Sequence, residues 1–221
     1  MSAPALLRLA ILISGRGSNM SAIARACARG DIAARVAIVV ADRADAGGLA
    51  SAAQLGIATA VVQRSSARDA AAFEAALIAT LEAQRPDIIA LAGFMRILSA
   101  GFVTRFLGRM FNIHPSLLPE YRGLHTHRRV LAARETLHGA SVHFVTAELD
   151  GGPVVLQSRV PVAPADTEAT LSARVQATEH IIYPQVLAWF AQRRLAWRDG
   201  AAWLDGRPLA APIVEDFHAS S

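Results

Sequence analysis

Leu9-Ala10-Ile11-Leu12-Ile13-Ser14-Gly15-Arg16-Gly17-Ser18-Asn19 passes from an unbroken apolar run into a small polar loop punctuated by glycine. A short apolar run bounded by turn residues reads as a strand buried on both faces, as in a parallel sheet. Ser18–Arg29 follows with helical composition, and Gly30 supplies a stop. The same unit repeats outward from there. Val36–Ala41 is a second strand, and Gly47–Leu55 is a helix stopped by Gly56. Thr59–Val62 is a short strand, Arg68–Gln84 a helix ending before Pro86, and Ile88–Ala92 another apolar strand. This alternation predicts an α/β fold with a doubly wound, mostly parallel sheet flanked by helices. Ligands of such sheets sit at the carboxyl ends of the strands. The loops to inspect are therefore 14–19, 42–47, 93–98 and 112–123.

The second half has a different rhythm. Met110–Ile113 is a short strand running into His114-Pro115, and Thr126–Arg134 reads as a helix. Gly139–Thr146 and Val154–Val160 are β runs around Asp150-Gly151-Gly152-Pro153, a β-hairpin signal. Asp166–Gln192 is the longest helical stretch, and Pro184 is expected to kink or divide it. There is no repeat, linker or shift in composition. One domain over residues 1–221 is expected, with a core at about 8–210 and a tail at 211–221.

Composition narrows the function classes. The chain has 221 residues, 53% hydrophobic and 18% charged, enough apolar content for a full core. Its apolar runs are far shorter than the roughly 20 residues that span a bilayer, and residues 1–7 do not read as a signal peptide. No membrane partner is expected. There are 46 Ala, 22 Arg and no Lys, which excludes a Schiff-base lysine and a P-loop lysine. Guanidinium groups stay charged to very high pH, so a net charge of +4 already gives a sequence pI of about 10.4. Arginines are scattered, and no nucleic-acid partner is expected. The single cysteine, Cys27, allows no disulfide within the chain and reads as buried and inert. A reducing, cytoplasmic location is expected.

Two loops carry recognisable chemistry. Gly15–Asn19 joins a strand to a helix N-terminus, where backbone N–H groups and glycines suit an anion. The pattern lacks the third glycine of a dinucleotide loop and the lysine of a P-loop, so it suits a single phosphate monoester. Asn112-Ile113-His114-Pro115 is the sharper signal. Residues i and i+2 of a strand point the same way, so Asn112 and His114 share a face at a strand end. An amide beside an imidazole suits a carbonyl oxygen that develops negative charge. Asp150, in its glycine-rich turn, could orient His114 and favour its charged form; spacing alone does not bring residues 114 and 150 together. His125-Thr126-His127 without companion ligands is a weak metal signal, and no metal is expected.

Three motifs extend this into a resemblance. Ile13–Asn19, Leu91-Ala92-Gly93-Phe94-Met95-Arg96-Ile97-Leu98 and Asn112-Ile113-His114-Pro115-Ser116-Leu117-Leu118-Pro119 resemble the folate-dependent formyltransferases. Ser141–Thr146 and Glu148–Pro153 extend the match, so that it covers roughly residues 8–210. Gly123–His127, Glu179-His180 and Ala202–Gly206 are similar to the branch that acts on a glycinamide ribonucleotide. The resemblance implies a Rossmann-like fold and formyl transfer from 10-formyltetrahydrofolate to the ribonucleotide amine in purine biosynthesis. The folate would be a cosubstrate, with no permanent cofactor. Catalysis would rest on Asn112, His114 and Asp150. Gly17, Ser18 and Asn19 would hold the ribonucleotide phosphate, with Gln176, Ala177, Thr178 and Glu179 completing that pocket. Met95, Arg96, Ile97, Leu98, Asn112 and Thr146, Ala147, Glu148, Leu149, Asp150 would bind the folate. One departure matters: an arginine assigned to folate binding in the family is Ala70 here. Either Arg68 substitutes for it or that contact is missing. A monomer or homodimer is expected.

Overall fold

The computed structural model describes residues 5–64 and 66–218. The chain divides into two compact units, Met1–Phe111 and Asn112–Ser221. In the first, β1 (Leu7–Ile13), β2 (Ala34–Ala41), β3 (Thr59–Val61) and β4 (Ile88–Leu91) alternate with α1 (Ser18–Arg29), α2 (Gly47–Gln54) and α3 (Ala70–Gln84). Pairing is parallel throughout, in the order β4-β1-β2-β3. The chain thus winds outward from β1 through β2 and β3, then returns to β4 on the other side of β1. That reversal makes the ends of β1 and β4 the switch point of this unit. Leu9 through Ile13 are wholly buried, as a strand covered on both faces requires.

Helix boundaries follow local chemistry. Gly17 and Gly30 bracket α1 with φ of 74° and 84°, a region open to glycine at little cost. The α3 helix begins at Ala70 rather than at Arg68, because the Asp69 carboxylate caps it by accepting from Ala72 N–H at 2.8 Å. One short helix escapes the sequence reading: α4 (Ala100–Arg105), capped by Ser99 and buried through Phe102 and Val103. Its six residues are too few to display a helical period.

β5 (Met110–His114), whose last three residues open the second unit, leads to α5 (Thr126–Ala133), then to β6 (Leu137–Phe144) and β7 (Val154–Pro161). The β6 and β7 strands are antiparallel, joined by nine loop residues instead of a tight turn. Next comes α6 (Glu168–Ala191), opened by a reciprocal Thr167/Thr170 capping box. It continues through Pro184 without a break, so the proline does not divide it; Ile182, Tyr183, Val186 and Leu187 are buried on both sides of that proline. The β8 (Leu195–Arg198), β9 (Ala201–Leu204) and β10 (Arg207–Pro208) strands make a small antiparallel sheet. The segment expected as a tail holds β11 (Ile213–Asp216), which pairs parallel with β7. The class is the expected one: a mostly parallel sheet flanked by helices, with a long helix in the C-terminal half. Among the described residues no helix is long and apolar enough to cross a membrane.

Candidate active site

The second unit assembles a buried polar cluster around the end of β5. Asn112 and His114 occupy alternate positions on that strand, and His114 is only 7% exposed. Its Nδ1 lies 3.4 Å from Asp150 Oδ2, so the carboxylate does reach the imidazole. Asp150 gets there by leaving the long β6–β7 loop in a left-handed conformation, φ 48°. The same Oδ2 accepts from Gly123 N–H at 3.0 Å, which fixes the carboxylate from a second direction. On the other side of the ring, His114 Nε2 donates to the Tyr121 carbonyl at 3.0 Å. Both neighbours of His114 are acceptors, an arrangement suited to a ring that donates from both nitrogens.

Asn112 has a partner that sequence reading missed. His143 is completely buried near the end of β6, beside a register shift between Val142 and His143. Its Nε2 meets Asn112 Nδ2 at 3.2 Å. His143 Nδ1 lies 2.8 Å from the Phe144 carbonyl, which can only accept, so Nδ1 carries the proton. Burial lowers the His143 pKa to about 4, against weaker opposing effects of Phe144 and Asp150. The ring is therefore neutral near pH 7, and its bare Nε2 accepts from the Asn112 amide. That choice orients the amide and leaves its second N–H for another acceptor.

A second histidine pair joins α5 to β6. His127 Nδ1 and His138 Nε2 are 2.9 Å apart with rings edge to face. Burial lowers both pKa values, for His127 against the opposing pull of Glu168, and His138, which also faces His127, falls to about 4. One neutral ring donates to the other. Among the described residues no group of three or more His, Cys, Asp or Glu is placed to hold a metal ion.

Other candidate residues have definite places. Thr146, Ala147, Glu148 and Leu149 form the rim of the Asp150 loop; Glu148 pairs with Arg122, and its carbonyl accepts from Gly151 N–H at 3.1 Å. On α6, Gln176 is half-buried, Ala177 exposed, and Thr178 and Glu179 buried. The Thr178 hydroxyl turns inward, donating to the Val175 carbonyl at 2.8 Å and meeting Ser158 Oγ at 2.7 Å. In the first unit, Gly17 abuts the start of α2: a Cβ on Gly17 would lie 2.9 Å from Gly48 Cα. Ser18 and Asn19 open α1, whose first turn holds no acidic residue, so nothing there opposes an anion. Met95, Arg96, Ile97 and Leu98 lie in the loop after β4. The Arg68 side chain is 88% exposed and leans on Asp69 at 3.3 Å. Cys27 is half-buried rather than buried, and burial pushes its thiol up to about 11.

A model of the formyl transferase family matches residues 7–187. The chain belongs to this family. Among curated relatives, phosphoribosylglycinamide formyltransferase of Escherichia coli K12 is 51% identical over 203 residues, covering 92% of this chain and 96% of the relative. Among solved structures, the phosphoribosylglycinamide formyltransferase of Coxiella burnetii superposes with a TM-score of 0.90 at 47% identity, covering 94% of this chain and 99% of that one. Glycinamide ribonucleotide transformylase 1 of Symbiobacterium toebii follows at 0.88 and 40%, covering 91% and 95%. The Asn112–His143 and His114–Asp150 pairs thus belong to a formyl transferase, and both lie within the part of the chain that the family covers.

Proposed function

We infer that this chain transfers the formyl group of 10-formyltetrahydrofolate to the amine of glycinamide ribonucleotide, a step of purine biosynthesis, with the folate as cosubstrate. The observation that carries the assignment of roles is the pairing of His114 with Asp150 beside an Asn112 amide oriented by neutral His143. Formyl transfer needs an oxyanion held at one carbon while a proton leaves one nitrogen and reaches another. The neutral amine attacks the formyl carbon, a new C–N bond forms, and the carbonyl oxygen gains negative charge. The free N–H of Asn112 and the charged His114 ring meet that oxygen. To reach it, His114 Nε2 exchanges the Tyr121 carbonyl for the substrate oxygen. Asp150 keeps the ring charged and oriented. A water beside Asp150 carries the amine proton towards the folate nitrogen, whose bond to the formyl carbon then breaks.

Binding is assigned unit by unit. Gly17, Ser18 and Asn19 take the phosphate at the α1 N-terminus, where N–H groups converge and the helix dipole favours an anion. Gln176–Glu179 serve the same ribonucleotide from α6. Met95–Leu98 and Thr146–Asp150 take the folate. The reading carries with it a cytoplasmic location and small-molecule partners, with no nucleic acid.

Folate absorbance followed with and without glycinamide ribonucleotide tests the activity. Turnover that requires the ribonucleotide is expected. Turnover independent of it would make water the acceptor and would remove the purpose of the phosphate loop.

A further inference from the structure

The segment from Ala92 to Ser99 joins β4 to α4 without regular structure. It exposes two large apolar side chains, Met95 at 68% and Ile97 at 79%. Such a loop is ordinarily mobile, yet this one is tied down, three of its ties lying between Gly93 and Arg96. Ser14 N–H donates to the Gly93 carbonyl at 3.1 Å, and Met95 N–H donates to Ser14 Oγ at 2.9 Å. The third tie is an ion pair between Arg96 and Asp42.

Asp42 is the uncommon member. It is the first residue beyond β2, and its carboxylate is 1% exposed while the Arg96 side chain is 42% exposed. One carboxylate oxygen takes the Arg96 guanidinium, and the other, Oδ1, has no hydrogen-bond partner among the described residues. A buried carboxylate is costly unless it is paired, so releasing Arg96 would leave a bare charge inside the protein. The pair therefore holds Arg96 firmly, and Arg96 stands between the exposed Met95 and Ile97.

We propose that Asp42 is a positioning residue for the cosubstrate, acting through Arg96 to hold Met95–Leu98 in the conformation that receives the folate ring. The proposal rests on the assignment of that loop to folate binding. Fixing the loop in advance removes the ordering cost that binding would otherwise carry. The loss of Asp42 should then appear as weaker folate binding, with chemistry and ribonucleotide binding intact.

Steady-state kinetics with both substrates varied supply the test. Asp42→Ala should raise KM for 10-formyltetrahydrofolate about tenfold, with kcat within about twofold and the ribonucleotide KM unchanged. Asp42→Asn, which keeps an acceptor for Arg96 but no charge, should give a smaller rise. Arg96→Gln should match Asp42→Ala, and combining Asp42→Asn with Arg96→Gln should add little to Arg96→Gln alone, since both changes break one interaction. Asp31→Ala breaks the exposed Arg29–Asp31 pair of the same unit and should change none of the constants. An unchanged folate KM in folded Asp42→Ala, or equal rises in both KM values, overturns the proposal. If Asp42→Ala does not fold, Asp42→Asn and Arg96→Gln make the same comparison. Replacing Met95 and Ile97 together by Ala probes the loop directly. No effect on folate KM there refutes the loop assignment and the proposal with it, whereas an effect there beside a silent Asp42→Ala refutes the proposal alone.

Discussion

Under the proposed roles, the two units build their functional parts from different materials. In the first, the loop after β1 is shaped by its backbone, Gly17 pressed against Gly48, and the loop after β4 is held by Ser14 Oγ and by the Arg96–Asp42 pair. In the second, the end of β5 works through titratable side chains: His114 against Asp150, and His143 holding Asn112. Backbone N–H groups bind without changing charge, so the contribution of the loop after β1 should vary little with pH. Side chains that gain or lose protons can move charge during a reaction, but they tie the second unit to pH and to burial. The contrast gives a division of labour that can be tested. Changes in the first unit should act on KM, and changes at the second unit's cluster should act on kcat.

The largest effect should come from His114. His114→Ala removes the charged donor and Asp150→Asn removes what orients it; each should lower kcat by about 10²–10⁴-fold while ribonucleotide KM moves little. The double variant should lose scarcely more than the worse single one, since the two act as a unit. Near-normal kcat in either single variant would dissolve the contrast between the units.

Acid should expose the second unit's dependence on neutral histidines. His143, with its pKa lowered from 6.5 to about 4 by burial, is neutral in the native chain down to that pH. Unfolding returns it to the ordinary value, so between 6.5 and about 4 the unfolded chain binds more protons than the native one. The stability it supplies is complete above about pH 6.5 and is lost as pH falls through about 4, roughly 3 kcal/mol for this one ring. His138 adds a slope of the same sign over the same window. Urea unfolding at several pH values between 4 and 7.5 measures it. His143→Gln cannot titrate and should flatten the curve; an unflattened curve would mean that His143 is not the buried neutral group described here.

How far each unit could be read in advance follows from the same difference. The parallel strands and the Gly15–Asn19 loop are written in adjacent residues, because a buried strand and the turn after it are local patterns. Asn112 and His114 are legible for the same reason, two residues apart on one strand. Asp150 is not, since its approach to His114 depends on a nine-residue loop and on a left-handed residue in it. His143 is harder still: its partner Asn112 lies 31 residues earlier on another strand, and nothing in a period-2 pattern names the side chain opposite. Pro184 does not divide α6, because buried residues on both sides hold the long helix across a local breaker. The β11 strand looked like a tail because its alternation is half exposed and its partner, β7, lies more than fifty residues earlier.

A smaller effect should separate shape from charge in the first unit. Gly17 has φ 74° and no room for a Cβ beside Gly48. Gly17→Ala should raise ribonucleotide KM about tenfold through 1–2 kcal/mol of backbone strain, with kcat and folate KM nearly unchanged. Gly15, where a Cβ meets nothing within 4 Å, is the control, and Gly15→Ala should be milder. Equal effects at both positions would mean that close approach to Gly48 is not what shapes the loop.

The smallest effect should fall on Arg68, the proposed substitute for the family arginine expected at position 70. Its side chain stands in solvent at the cap of α3, leaning on Asp69 rather than on the loops at the strand ends. An exposed pair of this kind is worth under about 1 kcal/mol. If Arg68 takes over from the arginine replaced by Ala70, Arg68→Ala should raise folate KM by about two- to fivefold, and the rise should shrink with added salt. Restoring an arginine with Ala70→Arg should then lower folate KM in the Arg68→Ala background. A silent Arg68→Ala beside an effective Ala70→Arg would show that the contact is absent from this chain, leaving the braced loop after β4 as the first unit's main hold on the cosubstrate.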